Sequence, residues 1–587
     1  MATANILELE SPPASIQKPL RVGVLLDSQL VPGWVHHILE EIENSMLAEL
    51  AAVVASNHAS RIDSIIWGES TPVLLRLWSS LERRVFTRRS PRGDTLVPML
   101  FTPKSTGTRL LRCNLPVGGG GSSSEAALEA ISAMHLDVLL DLSSSAPSRR
   151  LQQSAKHGLW WFRSDHDLLV TLFWMLYGNT PVIESTLNVS SSRFGTVSIP
   201  CSYSAADRYS FFRNYTNGCW KRADAVTRCL AELHRFGRQP TQTAPVTSLL
   251  QKRTTPGVFQ TAQLIPRLVK RIVTRQLTKS LMQERWFIAF RRVRTREDSK
   301  IDQGTVTLIL PPRGHFYADP FVIDKGDRTY VFFEDCSYSS GKAVISFVEI
   351  NAAGECSSPE VALEESFHLA YPCLFQWENE IYLLPETKNN RTVQLYRATS
   401  FPRHWRLSNV LFDGVSTVDS TLLQHDGKFW LFTSGLGSKD PRVDWDSQLS
   451  LFFADSLSGP WKAHPGNPIA TDVRNCRCGG QIIQRGGLLV RPAQDCSTVY
   501  GHAVFLNEID TLSETEYREA PIGLIAPHWV RNNRGTHTYN RSDKYEVLDG
   551  RILSSRFRYE SRNPRFETIA PLKPLITYTG DRGTREI

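Results

Sequence analysis

The first third of the chain alternates between unbroken apolar runs and apolar residues at helical spacing. LRVGVLLDS (20–28) and HLDVLLDLS (135–143) are continuous runs, which are typical of strands buried on both faces of a sheet. VPGWVHHILEEI (31–42) instead places its apolar residues three and four apart, which predicts an amphipathic helix. Strands that alternate with helices predict a mostly parallel α/β domain over residues 20–235.

The pattern changes at about residue 286, where short aromatic and β-branched runs begin to alternate with turns. One unit recurs about every fifty residues: a small or kinked entry, a strand, a turn, and a second strand with a polar end. Its copies are 317–335, 370–386, 417–434, 478–495 and 535–550. This period predicts a five-bladed β-propeller over residues 285–575, and RWFIAFRR (285–292) is the predicted strand that closes the ring.

A basic linker, residues 236–284, is predicted between these two parts. Its amphipathic helix places apolar side chains near one face, with basic residues opposite: Leu264, Leu268, Ile272 and Leu281. About a dozen Lys and Arg face only two acids over residues 252–297. Two interpretations remain open for this segment. It docks on a neighbouring domain as a solvated helix, or it binds an anionic surface or an acidic partner.

Composition narrows the class of protein. The 587 residues are 41% hydrophobic and carry a net charge of +8, which is ordinary for a globular chain. We expect no transmembrane segment, because no apolar run is long enough, and no nucleic-acid partner, because no such motif accompanies the basic segment. Residues 1–19 and 576–587 are predicted to be a disordered leader and a tail. Ten scattered cysteines predict reduced thiols, a cytoplasmic location and no metal site.

Propeller geometry predicts where the polar residues of the repeats meet. The innermost strand of each blade lines a central channel, so the entry residues of successive repeats converge at its mouth. The second strands end near the same rim. The predicted site residues are therefore Asp319, Tyr371, Asp419 and His537 at the entries, with Glu386, Arg491, Gln494 and Asp495 from the second strands.

The segments FYADPFV, YPCLF, RPAQDCSTVYG and GTHTYN resemble the five-bladed family 43 glycosidases. They resemble still more closely the N-terminal propeller of plant glucosamine inositolphosphorylceramide transferases. The glycosidase resemblance implies that Asp319 is the general base and Asp419 the second, orienting carboxylate. Gly479 and Gly480 occupy the place of the general acid, so Glu386 and Asp495 are the candidate substitutes, although no motif marks either of them.

Residues 20–235 resemble the formyltransferase fold in element order and in YGNTPVIESTL (177–187). That family transfers a formyl group from a folate with an Asn, a His and an Asp. Here Arg163 falls at the place of the His, His166 lies close by, and Glu184 stands without a matching Asp. The resemblance therefore implies a degenerate site, and 10-formyltetrahydrofolate is expected only if the domain is active.

Three functions follow from these patterns. The first is a carbohydrate-active or carbohydrate-binding protein of glycoconjugate or secondary-metabolite biosynthesis, whose propeller binds a sugar. The second is a formyl or acyl transferase acting on an amino sugar, with the propeller as specificity module. The third is a non-catalytic scaffold. For Asp319 a purely structural role at a blade corner is equally compatible with the sequence, since Asp-Pro is a common turn.

Overall fold

The computed structural model describes residues 18–55, 72–89, 97–104, 107–112, 123–143, 149–162, 165–191, 195–237, 254–293, 305–437, 445–557, 561–571 and 575–578. Most of the predicted leader and tail therefore lies outside the described residues. The chain divides into two compact units, one within residues 14–274 and the other within residues 275–587. None of the described helices is long and apolar enough to cross a membrane.

The N-terminal unit is built on a mixed sheet flanked by helices. Its strands are β1 (Leu20–Leu26), β2 (Leu30–Pro32), β3 (Ala48–Ala55), β4 (Pro98–Leu100), β5 (Arg109–Arg112), β6 (Val138–Asp141), β7 (Leu159–Phe162), β8 (Val182–Ser191) and β9 (Gly195–Ala205). Its helices are α1 (Gly33–Asn44), α2 (Val73–Arg89), α3 (Ser123–Ser132), α4 (Asp165–Gly178), α5 (Phe211–Phe236) and α6 (Val258–Leu281), the last of which ends in the second unit.

Seven of these strands form one sheet in the order β5-β3-β1-β6-β7-β8-β9. The first five are parallel to one another, and β8 and β9 are antiparallel. The prediction of a mostly parallel sheet is therefore confirmed. The crossover helix α1 buries Trp34, Val35, Ile38, Leu39 and Ile42, the spacing that covers one face of a helix.

The second unit is a five-bladed β-propeller, as the repeats predict. Blade 1 comprises β12 (His315–Lys325), β13 (Arg328–Ser337), β14 (Ala343–Ile350) and β15 (Glu360–Leu363). Blade 2 comprises β16 (Ala370–Trp377), β17 (Glu380–Thr387), β18 (Thr392–Ser400) and β19 (His404–Asp413). Blade 3 comprises β20 (Ser416–His425), β21 (Lys428–Gly437), β22 (Leu449–Ala454) and β23 (Lys462–Ala463).

The remaining strands make two larger sheets. Blade 4 comprises β24 (Arg477–Cys478), β25 (Ile483–Arg485), β26 (Leu488–Asp495), β27 (Ala503–Leu512), β28 (Tyr517–Ile525) and β32 (Thr577–Tyr578). Blade 5 comprises β29 (Tyr539–Arg541), β30 (Tyr545–Ser555), β10 (Met282–Arg292), β11 (Val306–Leu310) and β31 (Arg565–Ile569).

Blade 5 joins strands from both ends of the unit. β10 pairs antiparallel with β30 along its whole length, from Met282 with Ser555 to Arg292 with Tyr545. The prediction that residues 285–292 close the ring is confirmed. Such closure protects the blade edges and holds the five inner strands β12, β16, β20, β24 and β29 around the channel.

Candidate functional site

Three of the predicted entry residues share one backbone feature. The ladders β12/β13, β16/β17 and β20/β21 each shift register at the entry of the blade. At these shifts Asp319, Tyr371 and Asp419 have φ of 51°, 44° and 51°. A left-handed residue at a bulge re-aims its side chain, and such strain is concentrated at functional sites. The recurrence in three blades places these side chains at equivalent positions around the channel.

The entry of the fourth blade explains why no acid occurs there. Gly480 has φ of 142°, and a Cβ at this position would lie 2.0 Å from the carbonyl oxygen of Tyr539. The peptide N–H of Gly480 instead donates to the hydroxyl of Tyr371 across the channel, at 2.7 Å. A side chain is therefore excluded by contact with blade 5, and no carboxylic acid can stand at this position.

Asp319 lies in a buried network with blade 5. Its Oδ1 accepts a hydrogen bond of 2.7 Å from the hydroxyl of Thr538 and lies 3.5 Å from Nε2 of His537. Burial raises the pKa of Asp319 to about 7, although the positive charge of His537 opposes that shift. This carboxyl therefore changes its protonation state near neutral pH.

His537 is held on two sides by carboxylates. Its Nδ1 forms an ion pair with Asp549, whose other oxygen accepts the backbone N–H groups of His537 (2.7 Å) and Thr538 (3.2 Å). Its ring stacks on Trp286, with centroids 4.0 Å apart. Burial would lower the pKa of His537, but Asp549 and Asp319 outweigh it and raise the pKa to about 9. The ring is therefore an imidazolium at neutral pH.

Asp419 is ion-paired on the opposite side of the channel. Its Oδ2 accepts hydrogen bonds from Nε of Arg477 (2.6 Å) and from the amide of Gln494 (2.8 Å). Arg477 also donates to Asp446 at 2.9 Å. This arginine follows β20 by more than fifty residues in sequence and anchors the second carboxylate of the site.

Glu386 is the third carboxyl of the channel, and it is only partly buried. Its Oε2 accepts the backbone N–H of Asp419 at 3.4 Å. Burial, the negative charge of Asp419 and more weakly that of Asp319 raise the pKa of Glu386 to about 8. At neutral pH this side chain is therefore mostly a neutral acid, which can donate a proton.

An exposed aromatic ring stands beside these charges. Tyr500 is 41% exposed, and the guanidinium of Arg477 lies 4.8 Å from its ring centroid. The ring also meets His537 edge-on, with centroids 5.4 Å apart. Aromatic faces of this kind pack against the C–H faces of sugars, whose hydroxyls then reach neighbouring polar groups.

Several predicted substrate-binding residues are enclosed in the propeller, which corrects their assignment. Tyr371 is fully buried and bonded to Thr421 (2.8 Å), so it cannot stack on a sugar. Arg491 is fully buried in an ion pair with Glu519 that joins β26 to β28. Gln494 is also fully buried and positions Asp419. Asp495 accepts the backbone N–H of Ser497 at 2.9 Å and caps the loop after β26.

Two groups of described side chains have the spacing of metal ligands. One is Asp319, His537 and Asp549, in which both ring nitrogens of the imidazolium face carboxylates. The other is Glu334, Cys336 and His368. Nδ1 of His368 accepts the backbone N–H of Ala343 (3.2 Å), so Nε2 of the neutral ring carries the hydrogen that faces Glu334 at 3.1 Å. In this arrangement each histidine faces at least one of these carboxylates.

The N-terminal candidates do not form a described site. Arg163 lies outside the described residues. His166 falls in α4, where only its backbone is described. Glu184 lies in β8, is 7% exposed, and accepts a hydrogen bond from Thr186 at 3.0 Å. The formyltransferase interpretation of this unit gains no support from these positions.

The site contains residues that the sequence analysis did not single out: Trp286, Arg477, Tyr500 and Asp549. Asp549 stands in the fifth copy of the repeat, and Tyr500 in the quoted RPAQDCSTVYG. Trp286 belongs to the predicted closing strand, residues 285–292. Arg477 lies one residue before the fourth copy of the repeat, 478–495, so the repeat did not include it.

One family model matches the propeller: "Glucosamine inositolphosphorylceramide transferase 1, N-terminal", over residues 310–557. Proteins named glucosamine inositolphosphorylceramide transferase 1 are similar to this chain. The rice protein (Oryza sativa subsp. japonica) is 38% identical over 257 residues, which is 43% of this chain and 34% of that protein. The Arabidopsis thaliana protein is 36% identical over 247 residues, or 41% and 32%. The chain thus spans about a third of the length of these curated relatives.

Solved structures with a similar arrangement include family 43 glycoside hydrolases. A β-xylosidase/α-arabinofuranosidase from a compost microbial metagenome has a TM-score of 0.31 at 14% identity, covering 44% of this chain and 96% of that one. A Xanthomonas citri enzyme complexed with xylose has a TM-score of 0.31 at 12% identity, covering 42% and 89%. Similarity this low supports no inference about activity.

Proposed function

We propose that the propeller binds the sugar part of a glycoconjugate at the channel mouth. The observation that carries this proposal is the convergence of three carboxyls, Asp319, Asp419 and Glu386, beside the exposed ring of Tyr500. Carboxylates accept hydrogen bonds from sugar hydroxyls, and an aromatic face packs against the apolar face of the ring.

The accessible part of the site decides what a ligand would touch. Asp319 and Asp419 are almost fully buried, whereas Glu386 and Arg477 are partly exposed and Tyr500 is the most open of the set. A sugar would therefore stack on Tyr500 and bond to Arg477 and Glu386, above a floor of buried charges. The guanidinium of Arg477 also suits a phosphorylated sugar, because it can match the negative charge of a phosphate.

The relatives supply the ligand classes to test. Their name contains glucosamine and inositolphosphorylceramide, so a hexosamine and an inositol phosphate are the first probes. The proposal concerns sugar recognition by the propeller and does not depend on formyl transfer by the N-terminal unit.

Isothermal titration of the full chain with glucosamine and with myo-inositol 1-phosphate tests this proposal. Tyr500→Ala should weaken binding of the recognised sugar by about fivefold to tenfold, the value of one aromatic contact. The matched control is Tyr382→Ala, because Tyr382 is a partly exposed tyrosine in β17 that stacks on Phe375. Absence of binding by both probes, or equal losses in the two variants, would overturn the proposal.

Hydrolysis of a glycosidic bond is the second candidate, and the raised pKa of Glu386 favours it. In that reaction Glu386 would protonate the departing glycosidic oxygen as the C–O bond breaks. Water would attack the sugar carbon and transfer its proton to Asp319. Release of p-nitrophenol from p-nitrophenyl glycosides by the full chain, lost in Glu386→Gln with sugar binding retained, would establish this reaction. If no release occurs, the propeller has a binding function alone.

A further inference from the structure

The inner strands of blades 2, 3 and 4 surround a cavity of about 150 Å³ at the ends that are remote from the channel-mouth site. Gln376 and Gln424 line this cavity, and each stands five residues beyond the entry residue of its strand, Tyr371 or Asp419. Five residues of an extended strand span about 16 Å. The cavity therefore lies near the opposite mouth of the channel, and none of its lining residues belongs to the site described above.

Three glutamines occupy the same register position in the three blades. Gln376, Gln424 and Gln484 each belong to the last pair but one of the hairpin ladder at the start of their blade. All three side chains are exposed, and all three residues line the cavity. Because equivalent positions of successive blades are neighbours around the ring, the repeat brings three primary amides to one opening.

The equivalent residue of blade 1 is bonded within the fold instead. Asp324 accepts hydrogen bonds from the hydroxyl of Thr329 and from a backbone N–H of blade 5. In blades 2 and 3, by contrast, the side-chain amides of Gln376 and Gln424 make no hydrogen bond to any described residue. Gln484 donates to the backbone carbonyl of Gln424 at 3.2 Å, which orients its amide. Two of the three amides are therefore available to a ligand.

Aromatic and aliphatic side chains form most of the remaining lining. Trp377 is partly exposed, and its ring meets Phe429 edge-on with centroids 5.1 Å apart. This contact holds the indole in place at the edge of the cavity. Leu422, Leu423 and Ile482 are buried below it. Among the described residues that line the cavity there is no Asp, Glu, Lys, Arg or His.

The composition of this lining restricts the chemistry of a ligand. A charged ligand would lose hydration without meeting an opposite charge. A wholly apolar ligand would cover the amides and leave them without partners. Each primary amide offers two N–H donors and a carbonyl acceptor, and each sugar hydroxyl both donates and accepts. The apolar C–H face of a sugar ring also packs against an aromatic ring such as that of Trp377.

We propose that this cavity is a second carbohydrate site, which binds one neutral sugar residue through the amides of Gln376 and Gln424 and the ring of Trp377. Pockets for drug-sized ligands measure roughly 300 to 1,000 Å³, so a cavity of about 150 Å³ suits a single ring. No described lining residue can act as an acid, a base or a nucleophile at neutral pH. The site therefore anchors a glycan and performs no chemistry on it.

Saturation-transfer difference NMR on the full chain tests this proposal with the methyl glycosides of glucose, galactose, mannose and xylose. We expect at least one of these neutral sugars to bind. Glucuronate has a ring of similar size and a carboxylate, and it should bind at least tenfold more weakly to this cavity. Tyr500→Ala should leave binding of the neutral sugar unchanged, because Tyr500 belongs to the channel-mouth site. The two proposals can therefore fail separately.

Two double variants remove the amides. Gln376→Leu with Gln424→Leu should weaken binding at least tenfold, because each change removes the hydrogen bonds of one amide. Gln376→Glu with Gln424→Glu keeps the size of both side chains and should give a similar loss, since it replaces the N–H donors by negative charge. The matched control is Gln153→Leu with Gln276→Leu, two exposed glutamines outside the blades.

A single variant tests the aromatic contact. Trp377→Ala should weaken binding about fivefold to tenfold. The proposal is overturned if no neutral sugar binds, if the glutamine variants bind like the control, or if binding is lost in Tyr500→Ala and kept in the glutamine variants. Tighter binding of N-acetylalanine methylamide than of every sugar would identify a peptide as the ligand and would also overturn it.

Discussion

The imidazolium of His537 stands between two carboxylates from different blades, with Nε2 3.5 Å from Asp319 and Nδ1 paired with Asp549. Asp549 also accepts two backbone N–H groups of its own blade and receives the backbone N–H of Asp319 at 3.3 Å. This one carboxylate therefore ties blade 1 to blade 5 and fixes the charge on the histidine.

The stability of the propeller should fall as pH rises from mildly acidic to about 9. The folded pKa of His537 is about 9 against 6.5 in the unfolded chain, so its contribution is full below pH 6.5 and is lost as pH passes 9. Folding also raises the pKa of Asp319, to about 7, so stability should already fall as the pH rises toward 7. Thermal melting across pH 5 to 10 measures the effect. His537→Gln should flatten the upper part of this dependence, whereas His404→Gln, at an exposed position, should leave it unchanged.

Glu386→Gln should stabilise the protein at alkaline pH and leave it unchanged in acid. Above pH 8 the wild-type carboxylate is charged beside Asp419, whereas glutamine is neutral and of similar size. The gain should be about 1 kcal/mol or more at pH 9 and should vanish near pH 4.5, where both states of the wild-type chain are protonated. Urea unfolding at the two pH values checks it. A gain that is equal at both would show that charge is not the cause.

Glu519→Gln should destabilise the propeller by roughly 3 to 5 kcal/mol, because it leaves the buried guanidinium of Arg491 without its counter-charge. Removing the exposed partner of a surface pair, in Arg403→Met opposite Glu360, should change stability little. Sugar affinity should persist in the folded fraction of Glu519→Gln. A loss of sugar affinity in the folded fraction of Glu519→Gln would indicate that Arg491 contributes to sugar binding.

Gly480→Ala should unfold a large part of the protein or destabilise it by about 3 kcal/mol or more, since its Cβ would overlap the carbonyl of Tyr539. Gly486→Ala, at a turn with φ of 58° and no atom near its Cβ, should cost only about 1 kcal/mol. Denaturant melts of the two variants give the comparison. Equal stabilities would mean that blade 5 moves aside, and that an acid could be tolerated at this entry.

The sequence alone specified much of this architecture. Hydrophobic periodicity indicated the parallel sheet, because strands buried on both faces have to be apolar throughout. The fifty-residue repeat specified the propeller and placed Asp319, Tyr371 and Asp419 at equivalent entries. Each repeat forms one blade, and every blade packs against its neighbours in the same way. It also showed that the fourth entry lacks an acid, although it could not say why.

Tertiary structure alone decided which of these residues can act. Thr538 lies 219 residues from Asp319, and Gln494 lies 75 from Asp419, so no local pattern links them. Tyr371 and Arg491 are fully buried and Glu386 is partly exposed, although all three stand in similar repeats. The charge on His537 and the proton on Glu386 likewise depend on neighbours that ring closure brings together. The periodic sequence encodes the blades. The protonation states and the solvent exposure of the site residues instead depend on distances between blades, which are set only when the ring has closed.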